Sequence, residues 1–521
     1  MDPEELMAAL TKSEAYHHRP SRVEWLQTHI SWIFLADDLV YKVKKPVDFG
    51  FLDFSTLANR KHFCEEEVRL NRRLCPDIYL GVEPIIRDQT GRVVFGGDGP
   101  PLEFAVKMRR LPEEGMMLRR LARNEVDEKE IDRIAGLLVP FYRCAETGGR
   151  VNHFGRPELI EHNIHENFDQ TADYVGLALS RGRYDSIREY CAGFLKDRTG
   201  LLSRRVDTGF IRDCHGDLHM ANICLGERVW IFDCIEFNER FRFSDVASDI
   251  SFLAMDLDFY RRADLSDRLI EVYVRMSGDR ELTDLLDFYK CYRSYVRGKI
   301  HCFTAHETGL SALEKSAALK KARCHFTLAY QYAGGQPRLR ILVFMGLMGT
   351  GKSYWAGQAG RCLGAEVVGT DRVRKQLAGQ DPETRHYVAF GQGLYSPEMS
   401  GRVYQEMLDR AEEQVRAGLD VVLDGAYLKE AERRRIVSLA VRCGAEVTFV
   451  HVRAAERVVR ARLANREARG HSVSDGRLEI SDQQARLFEA FGDLSPAKVI
   501  RLDTGGPEDE VGRTLRQALK I

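Results

Sequence analysis

The stretch Gly346-Leu-Met-Gly-Thr-Gly-Lys-Ser353 decides the fold of the C-terminal part of the chain. It fits the pattern G-x-x-x-x-G-K-[ST], follows the apolar run 341–345 and precedes a helical pattern, which is the context that this motif requires. Its glycines let the backbone curl so that N–H groups face phosphate oxygens, and the following helix adds its dipole. The sequence therefore predicts a phosphate-binding loop between a strand and a helix.

Five residues of this loop are predicted to bind a nucleotide: Gly346, Gly349, Gly351, Lys352 and Ser353. Lys352 is expected to reach the β- and γ-phosphates, and Ser353 to ligate Mg²⁺. Downstream, Val421-Val-Leu-Asp424 is an apolar run that ends in a carboxylate. A carboxylate in that position is expected close to Mg²⁺ in phosphoryl-transfer sites, so Asp424 is a second predicted metal ligand.

The C-terminal part alternates between strand and helix patterns. Its strand candidates are 341–345, 366–368, 420–423 and 446–452. This alternation is typical of a parallel α/β sheet flanked by helices. Gly334-Gly-Gln-Pro337 stands before the first strand candidate, and Gly and Pro punctuate structure strongly. We therefore predict two domains, 1–337 and 338–521.

Asp371 and Arg374 follow the second strand candidate, in Thr370-Asp-Arg-Val-Arg374. An Asp at the carboxyl end of a parallel strand faces the ligand crevice and can accept a proton from an attacking hydroxyl. An Arg one helical turn later can hold an anionic group on the acceptor. Further on, Arg462 and Arg466 are spaced i,i+4 and share a helix face. On a mobile flap, such a pair can stabilise a transferring phosphate, although a solvated basic face is the simpler interpretation.

The order GLMGTGKS, TDRVR, VVLDG and RARLANR resembles the small P-loop kinases that include phage polynucleotide kinase, gluconate kinase and the zeta toxins. The similarity covers about residues 340–500. The resemblance implies that Asp371 is the general base, that Arg374 grips a phosphate of the substrate, and that Arg462 and Arg466 are lid arginines.

A second constellation lies upstream, in His215-Gly-Asp-Leu-His-Met-Ala-Asn222. Asp217 and Asn222 fit the pattern H-x-D-x-x-x-x-N, and the apolar run 229–232 then ends in Asp233. One Asp to accept a hydroxyl proton, with an Asn and a second Asp on Mg²⁺, is the minimum set for phosphoryl transfer in kinase-like folds. We therefore predict Asp217 as catalytic, and Asn222 and Asp233 as metal ligands.

Lysine and glutamate partners for this site are found nearer the N-terminus. Lys42 and Lys44 lie on one face of a predicted strand, and one of them is expected to bind the nucleotide phosphates. Glu67 shares a helical stripe with Leu70 and Leu74, which favours Lys44 and Glu67 as the ion pair. Lys42 and Glu66 stay open as alternatives.

This set resembles the aminoglycoside phosphotransferase branch of the kinase-like superfamily over most of residues 25–305. The resemblance implies a bilobal protein-kinase-like fold, a brace for the catalytic loop at Asp249 and an adenine-facing hinge at 103–108. One departure is that residues 24–41 contain no glycine, so a tight turn around 28–31 would have to cover the phosphates. The whole chain resembles bacterial proteins that fuse such a domain to a P-loop kinase domain.

Composition narrows the function classes. The chain has 521 residues and a net charge of −1, from 77 Lys and Arg against 78 Asp and Glu, so it carries no global basic footprint for coating nucleic acid. Its 12 cysteines form no C-x-x-C pair, and no apolar run approaches the length of a membrane span. We expect a cytoplasmic protein with reduced thiols and no membrane partner.

The leading hypothesis is a bifunctional ATP-dependent kinase with two Mg²⁺–ATP sites, each phosphorylating a hydroxyl acceptor. The Asp-x-x-Arg element favours a nucleotide, a polynucleotide 5′ end or a sugar acid at the C-terminal site. One alternative is an ATP-dependent switch, in which the N-terminal domain binds nucleotide and regulates the C-terminal domain. The other is a toxin-like kinase restrained by its N-terminal domain.

Overall fold

A computed structural model of the chain describes residues 2–307, 309–380, 393–469 and 484–521, with the side chains of 466–469 left aside. The described chain forms two compact units. The first unit comprises Met1–His165 and Ala192–Arg293, and the second comprises Glu166–Cys191 and Ser294–Ile521.

The first unit is built on a six-stranded antiparallel sheet of order β1-β2-β3-β6-β4-β5. Its strands are β1 (Val23–Gln27), β2 (Ser31–Ala36), β3 (Leu39–Lys44), β4 (Tyr79–Arg87), β5 (Val93–Phe95) and β6 (Pro101–Arg109). Two short ribbons follow, in which β7 (Ile211–Asp213) pairs with β10 (Phe243–Asp245), and β8 (Ile223–Leu225) pairs with β9 (Val229–Ile231).

Helices make up most of the remainder of the first unit, and three of them, α6, α7 and α11, contribute residues to both units. In chain order they are α1 (Pro3–Leu10), α2 (Leu57–Asn71), α3 (Met117–Ala122), α4 (Glu128–Cys144), α5 (Gly149–His153), α6 (Pro157–Thr171), α7 (Arg181–Asp207), α8 (Glu239–Arg242), α9 (Val246–Phe259), α10 (Ala263–Ser277) and α11 (Leu282–Ala305). Within the described ranges, no helix has both the length and the apolar character that crossing a membrane requires.

The second unit contains a five-stranded parallel sheet of order β12-β13-β11-β14-β15. Its strands are β11 (Arg340–Met345), β12 (Glu366–Gly369), β13 (Val421–Asp424), β14 (Glu446–Arg453) and β15 (Lys498–Asp503). Its further helices are α12 (Ala312–Tyr332), α13 (Lys352–Leu363), α14 (Thr370–Leu377), α15 (Pro397–Arg416), α16 (Glu430–Cys443), α17 (Glu456–Arg469) and α18 (Glu508–Leu519).

The continuous apolar run of β11 is explained by burial on both faces of this sheet. Ile341, Val343 and Met345 belong to one hydrophobic core, whereas Leu342 and Phe344 belong to a second core. Successive side chains of a strand point to opposite faces, so a strand covered on both faces needs apolar residues at every position. The predicted fold class, a mixed α/β chain with a kinase-like part and a C-terminal parallel sheet flanked by helices, is confirmed.

A buried carboxylate ties helical residues to the sheet of the second unit. Asp420, directly before β13, accepts hydrogen bonds from the Arg340 backbone at 3.0 Å and side chain at 3.0 Å, and forms an ion pair with Arg183 of α7 at 3.4 Å. The second unit therefore includes the segment 166–191 together with the sheet. The domain boundary that the sequence places near residue 337 stays a prediction.

Candidate active sites

The catalytic loop of the first unit is held by one buried carboxylate. Asp249, on α9, accepts hydrogen bonds from the backbone N–H groups of His215 and Gly216, both at 2.9 Å, and from the Tyr142 hydroxyl at 2.9 Å. Asp249 is fully buried, and a buried carboxylate is stable only when such donors satisfy it. Asp249 of α9 therefore holds the backbone of the loop that carries the predicted base, which is the brace that the resemblance implied.

Asp217 is oriented by two side chains of the same loop. His219 Nε2 lies 3.2 Å from Asp217 Oδ2, and Asn222 Nδ2 donates to the same oxygen at 3.2 Å. The Ala221 backbone N–H donates to His219 Nδ1, which leaves Nε2 as the protonated nitrogen that donates to Asp217. The Asp217 side chain is 32% exposed, so this anchored carboxylate is partly accessible to solvent.

Asp233 lies two residues beyond the end of β9, and it adopts a positive φ of 63°. Lys42 Nζ lies 2.6 Å from Asp233 Oδ1, and the Asp233 side chain is 46% exposed. Carboxylate and amide oxygens are the ligands that Mg²⁺ prefers, and Asp233 already binds a cation, the Lys42 ammonium, in this structure. The donor set of Asp233 and Asn222 therefore fits a magnesium ion.

A buried ion cluster lies behind Asp233, and both predicted lysines take part in it. Lys44 Nζ is 2.7 Å from Glu67 and also contacts Glu236, while Lys42 Nζ is 2.9 Å from Glu67 and 2.6 Å from Asp233. The side chains of Lys44 and Glu67 are completely buried, whereas that of Lys42 is 11% exposed. Lys42 is thus the lysine at the open edge of the cluster, and Lys44 lies inside it.

The buried groups of this cluster are charged because each lies next to groups of opposite charge. Burial opposes the charge of Glu67, but Lys42 and Lys44 outweigh burial and lower the Glu67 pKa to about 2. Burial likewise opposes the charge of Lys44, but Glu236 and Glu67 outweigh it and raise the Lys44 pKa. Burial raises the pKa of Glu236. The charges of these groups therefore stabilise one another in a dry environment.

The alternative glutamate, Glu66, points elsewhere. It forms an ion pair with Arg69 on α2 at 2.7 Å, and that pair lies partly in solvent.

Sequence reasoning did not assign a partner to Glu236, although its spacing from Asp233 in Asp-Cys-Ile-Glu was visible. That spacing was the signal that could have identified it.

The turn between β1 and β2 is tight although it contains no glycine. The Thr28 hydroxyl accepts hydrogen bonds from the backbone N–H groups of Ile30 at 3.3 Å and Ser31 at 3.0 Å. Lys45 Nζ donates to the Thr28 carbonyl at 2.6 Å. Side-chain hydroxyls can replace backbone partners in turns, so the Thr28 hydroxyl stabilises this turn in the absence of glycine.

The phosphate loop of the second unit begins at Gly346, directly after β11. Gly346 has a φ of 139°, and a Cβ atom there would lie 2.4 Å from the carbonyl oxygen of Val452. At Gly349 a Cβ atom would lie 2.8 Å from the Val459 side chain of α17. The loop then enters α13, whose first two residues are the half-buried Lys352 and the exposed Ser353. Gly351, just before α13, also adopts a positive φ.

The carboxyl ends of three strands meet beside this loop. Asp424 of β13 is in register with Phe344 of β11 and with Gly369 of β12. Asp371 lies two residues beyond Gly369, in the first turn of α14. The structure thus brings Asp371 and Asp424 to the edge of the sheet where the phosphate loop begins. The Ser353 hydroxyl at the start of α13 and the Asp424 carboxylate at the end of β13 are a suitable donor set for Mg²⁺.

Arg374 is positioned by Asp371 and by an aromatic ring. Its Nη1 donates to Asp371 Oδ1 at 3.1 Å, and its guanidinium lies 4.6 Å from the centre of the Tyr395 ring. Arg374 is 7% exposed, while the Asp371 side chain is 31% exposed. Stacking and a carboxylate partner fix a guanidinium in one orientation. Tyr395 carried no signal in the sequence, because it lies outside the Asp-x-x-Arg element.

Arg462 contacts the backbone of the phosphate loop. Its guanidinium donates to the Thr350 carbonyl at 3.1 Å, to the Thr504 carbonyl at 2.8 Å and to the Thr504 hydroxyl at 2.9 Å. The Thr504 hydroxyl itself donates to the Thr350 carbonyl at 2.6 Å. Arg462 therefore joins α17 to the loop and to the end of β15, and its role on a transferring phosphate stays a prediction. The side chain of Arg466 lies outside the described residues.

His451, on β14, is packed between two aromatic rings. The rings of Phe488 and Phe491 lie 5.1 Å and 5.2 Å from the imidazole centre. Burial, together with nearby arginines of which Arg453 is the first, lowers the pKa of His451 to about 4. The imidazole is therefore neutral in the folded protein near pH 7.

Acid should weaken the second unit through His451. Because its pKa is depressed, the unfolded chain takes up the proton first, so stability is complete above about pH 6.5 and falls as the pH approaches 4. We expect a loss of about 1 kcal/mol by pH 5, a figure reduced for partial exposure. His451→Phe should abolish this loss, whereas the same change at exposed His162 should not. Thermal unfolding at both pH values, with hydrogen exchange of β14 to assign the transition, would measure it, and an unchanged acid sensitivity would contradict it.

Each unit therefore contains one candidate site for phosphate chemistry, and the second lies at the edge of a parallel sheet. The family described as AAA domain matches residues 341–491. The chain is 31% identical over 506 residues to Uncharacterized protein Rv2004c of Mycobacterium tuberculosis (strain ATCC 25618 / H37Rv), which covers 95% of this chain and 94% of that relative. Identity and coverage are the same for Uncharacterized protein Mb2027c of Mycobacterium bovis. The chain belongs to the family of these mycobacterial proteins.

Solved structures show a more distant likeness. A choline/ethanolamine kinase family protein from Mesorhizobium loti is 14% identical, with a TM-score of 0.38, and the match covers 64% of this chain and 99% of that chain. A glucosamine kinase in complex with glucosamine, ADP and inorganic phosphate is also 14% identical, with a TM-score of 0.33, over 59% of this chain and 76% of that chain. At such scores the likeness adds nothing to what the two sites themselves indicate.

Proposed function

We propose that the protein is a bifunctional, cytoplasmic, ATP-dependent kinase that phosphorylates one hydroxyl acceptor in each unit. The observation that carries the proposal is that each unit presents a partly exposed aspartate together with its own groups for phosphate or metal. In the first unit these are Asp217, Asn222 and Asp233, and in the second they are Asp371, Asp424 and the loop that begins at Gly346.

At the first site Asp217 accepts the proton of the acceptor hydroxyl. His219 and Asn222 hold one oxygen of the Asp217 carboxylate, and the side chain is 32% exposed, which supports its role as the base. Lys42 binds the nucleotide phosphates, because it is the lysine at the open edge of the ion cluster. Mg²⁺ on Asn222 and Asp233 would neutralise charge that develops on the phosphates.

At the second site Asp371 is the base and Arg374 orients the acceptor. The loop amides and Lys352 hold the ATP phosphates, and Ser353 with Asp424 would hold Mg²⁺. The guanidinium of Arg374 is buried, stacked on Tyr395 and hydrogen-bonded to Asp371. Its position supports the proposal that the acceptor carries an anionic group next to the attacking hydroxyl. A nucleotide, a polynucleotide 5′ end and a sugar acid all have this chemistry.

A screen with labelled ATP tests the proposal. Nucleosides, nucleotides, RNA and DNA ends, sugars, sugar acids and aminoglycosides are offered to the wild type and to the Lys352→Ala variant. We expect Lys352→Ala to reduce one of two separable phosphorylations by at least a hundredfold, because it removes the positive charge proposed to face the transferring phosphate. If Lys352→Ala retains every ATP-dependent activity of the wild type, the second site has no such function.

A further inference from the structure

The peptide group between Gly216 and Asp217 is held by a side chain at each of its polar atoms. Its N–H, which belongs to Asp217, donates to His215 Nδ1 at 3.3 Å. Its carbonyl oxygen, which belongs to Gly216, accepts a hydrogen bond from Nη1 of Arg293 on α11 at 3.1 Å. The Cα atom of Asp217 is bonded to the nitrogen of this peptide group. The side chains that fix the peptide group therefore also fix the backbone from which the proposed base projects.

The backbone turns sharply at Gly216. This residue has a φ of 86°, and a Cβ atom there would lie 2.9 Å from the carbonyl oxygen of Phe241. Glycine permits this conformation, but it also permits many others, so the turn needs contacts that select one of them. Asp249 holds the Gly216 N–H, as described above, and Arg293 holds the Gly216 carbonyl. The turn is thus fixed at both of its polar groups.

The guanidinium of Arg293 is itself held in one orientation by α9. Its Nε donates to the Ser248 hydroxyl at 3.1 Å, and its central carbon lies 4.9 Å from the centre of the Phe252 ring. Arg293 is 7% exposed. A planar guanidinium that is stacked on a ring and hydrogen-bonded at its Nε has little freedom to rotate. Arg293 therefore presents its Nη1 to the Gly216 carbonyl in a defined geometry.

Arg293 carries a buried charge that is not compensated by a neighbouring carboxylate. Among the residues that the structure describes, none forms an ion pair with Arg293. Burial of a charge outside an ion pair is costly, and an apolar side chain of similar length would fill the same space without that cost. Packing alone thus gives no reason for an arginine at this position, whereas a strong donor to the Gly216 carbonyl does.

We propose that Arg293 is a positioning residue of the first site, which acts on the base through the Gly216 carbonyl and does not touch the substrate. The proposal rests on the proposed role of Asp217. Arg293→Met keeps the length of the side chain but removes the donors. It should lower kcat about tenfold to a hundredfold, because a displacement of about 1 Å in a site can cost about a hundredfold.

Two features distinguish positioning from a general structural role. The KM for ATP should change less than about twofold in Arg293→Met, because the proposed nucleotide ligands, Lys42 among them, lie elsewhere. Arg293→Lys restores a charged donor and should recover part of the lost kcat, although a lysine cannot bind Ser248 and Gly216 with the same planar group.

The test uses the full chain with Lys352→Ala as the parent, so that the second site is silenced. Hydrolysis of ATP, with water in place of the acceptor, gives kcat and KM, and hydrogen exchange of peptides that cover 215–222 reports the loop. Lys290→Met is the matched control, since Lys290 is 5% exposed on the same helix and binds Asp258 at 2.8 Å and Ser266 at 3.0 Å. It should leave kcat and the exchange of the loop unchanged.

Asp217→Asn in the same parent separates the two ways to fail. If the parent and Asp217→Asn hydrolyse ATP equally, the proposed base is wrong. If Asp217→Asn loses hydrolysis while Arg293→Met keeps it, Arg293 has no positioning role and the proposed function stands. A kcat that is equally low in Arg293→Met and Lys290→Met, or no gain in Arg293→Lys, would also overturn the positioning role. So would unchanged exchange of 215–222 in Arg293→Met, which is measured independently of turnover.

Discussion

Lys44→Met is expected to destabilise the first unit by about 3–5 kcal/mol, the usual cost of removing one partner from a buried ion pair. The Lys44 side chain is completely buried and contacts both Glu67 and Glu236. Methionine fills a similar volume but provides no charge, so two buried carboxylates would share Lys42 alone. One of them must then take up a proton or the site must open to water, and either response costs stability.

Two further lysine variants sharpen this prediction. Lys61→Met makes the same chemical change at an exposed ion pair with Glu65, whose contribution is within about 1 kcal/mol, so it should leave stability nearly unchanged. Lys42→Met should destabilise less than Lys44→Met, since Lys42 lies at the open edge of the cluster. It should nevertheless lose the phosphorylation that depends on Asp217.

Thermal unfolding of the full chain, with hydrogen exchange of β3 and α2 to identify the transition of the first unit, measures these effects. A Lys44→Met protein as stable as Lys61→Met would show that the cluster tolerates an uncompensated carboxylate. A Lys42→Met protein that keeps full activity would make Lys44 the lysine that binds phosphate, which is the assignment that the sequence favoured.

The sequence was sufficient wherever a pattern is local. The strands of the second unit follow from runs of apolar residues, because every position of a strand buried on both faces must be apolar. Asp424 and Gly369 could be placed at one edge of the sheet, since parallel strands bring their carboxyl ends together. The catalytic loop 215–222 was equally readable, because Asp217, His219 and Asn222 lie within six positions and contact one another.

Contacts between distant segments could not be predicted. Lys42 and Asp233 are separated by 191 positions, and Arg183 and Asp420 by 237, and no periodicity links such pairs. The choice between Lys42 and Lys44 depends on how deeply each lysine lies under α2, which alternation along one strand does not reveal. Arg462 was expected to face a phosphate, but its hydrogen bonds to Thr350 and Thr504 depend on where β15 ends.

Asp217→Asn is expected to reduce phosphorylation at the first site by about 10²–10⁴-fold, the range that a positioned general base contributes. Asparagine is nearly isosteric and can still accept hydrogen bonds from His219 and Asn222, so the loop should keep its conformation. It cannot take up the acceptor proton, and the loss should therefore fall on kcat rather than on KM.

Nucleotide binding gives the internal check for Asp217→Asn. In the proposed site, Lys42 and the Mg²⁺ that Asn222 and Asp233 would hold bind the nucleotide, and Asp217 does not. The ATP affinity of the first unit should therefore change by less than about threefold, which is within 1 kcal/mol. Asp207→Asn, the same change at an exposed position near the end of α7, should leave both activities unaltered. Transfer from labelled ATP to the acceptor found in the screen measures the loss. If Asp217→Asn keeps more than about a tenth of wild-type kcat, proton transfer to this carboxylate does not limit the reaction, and the first unit needs a different base.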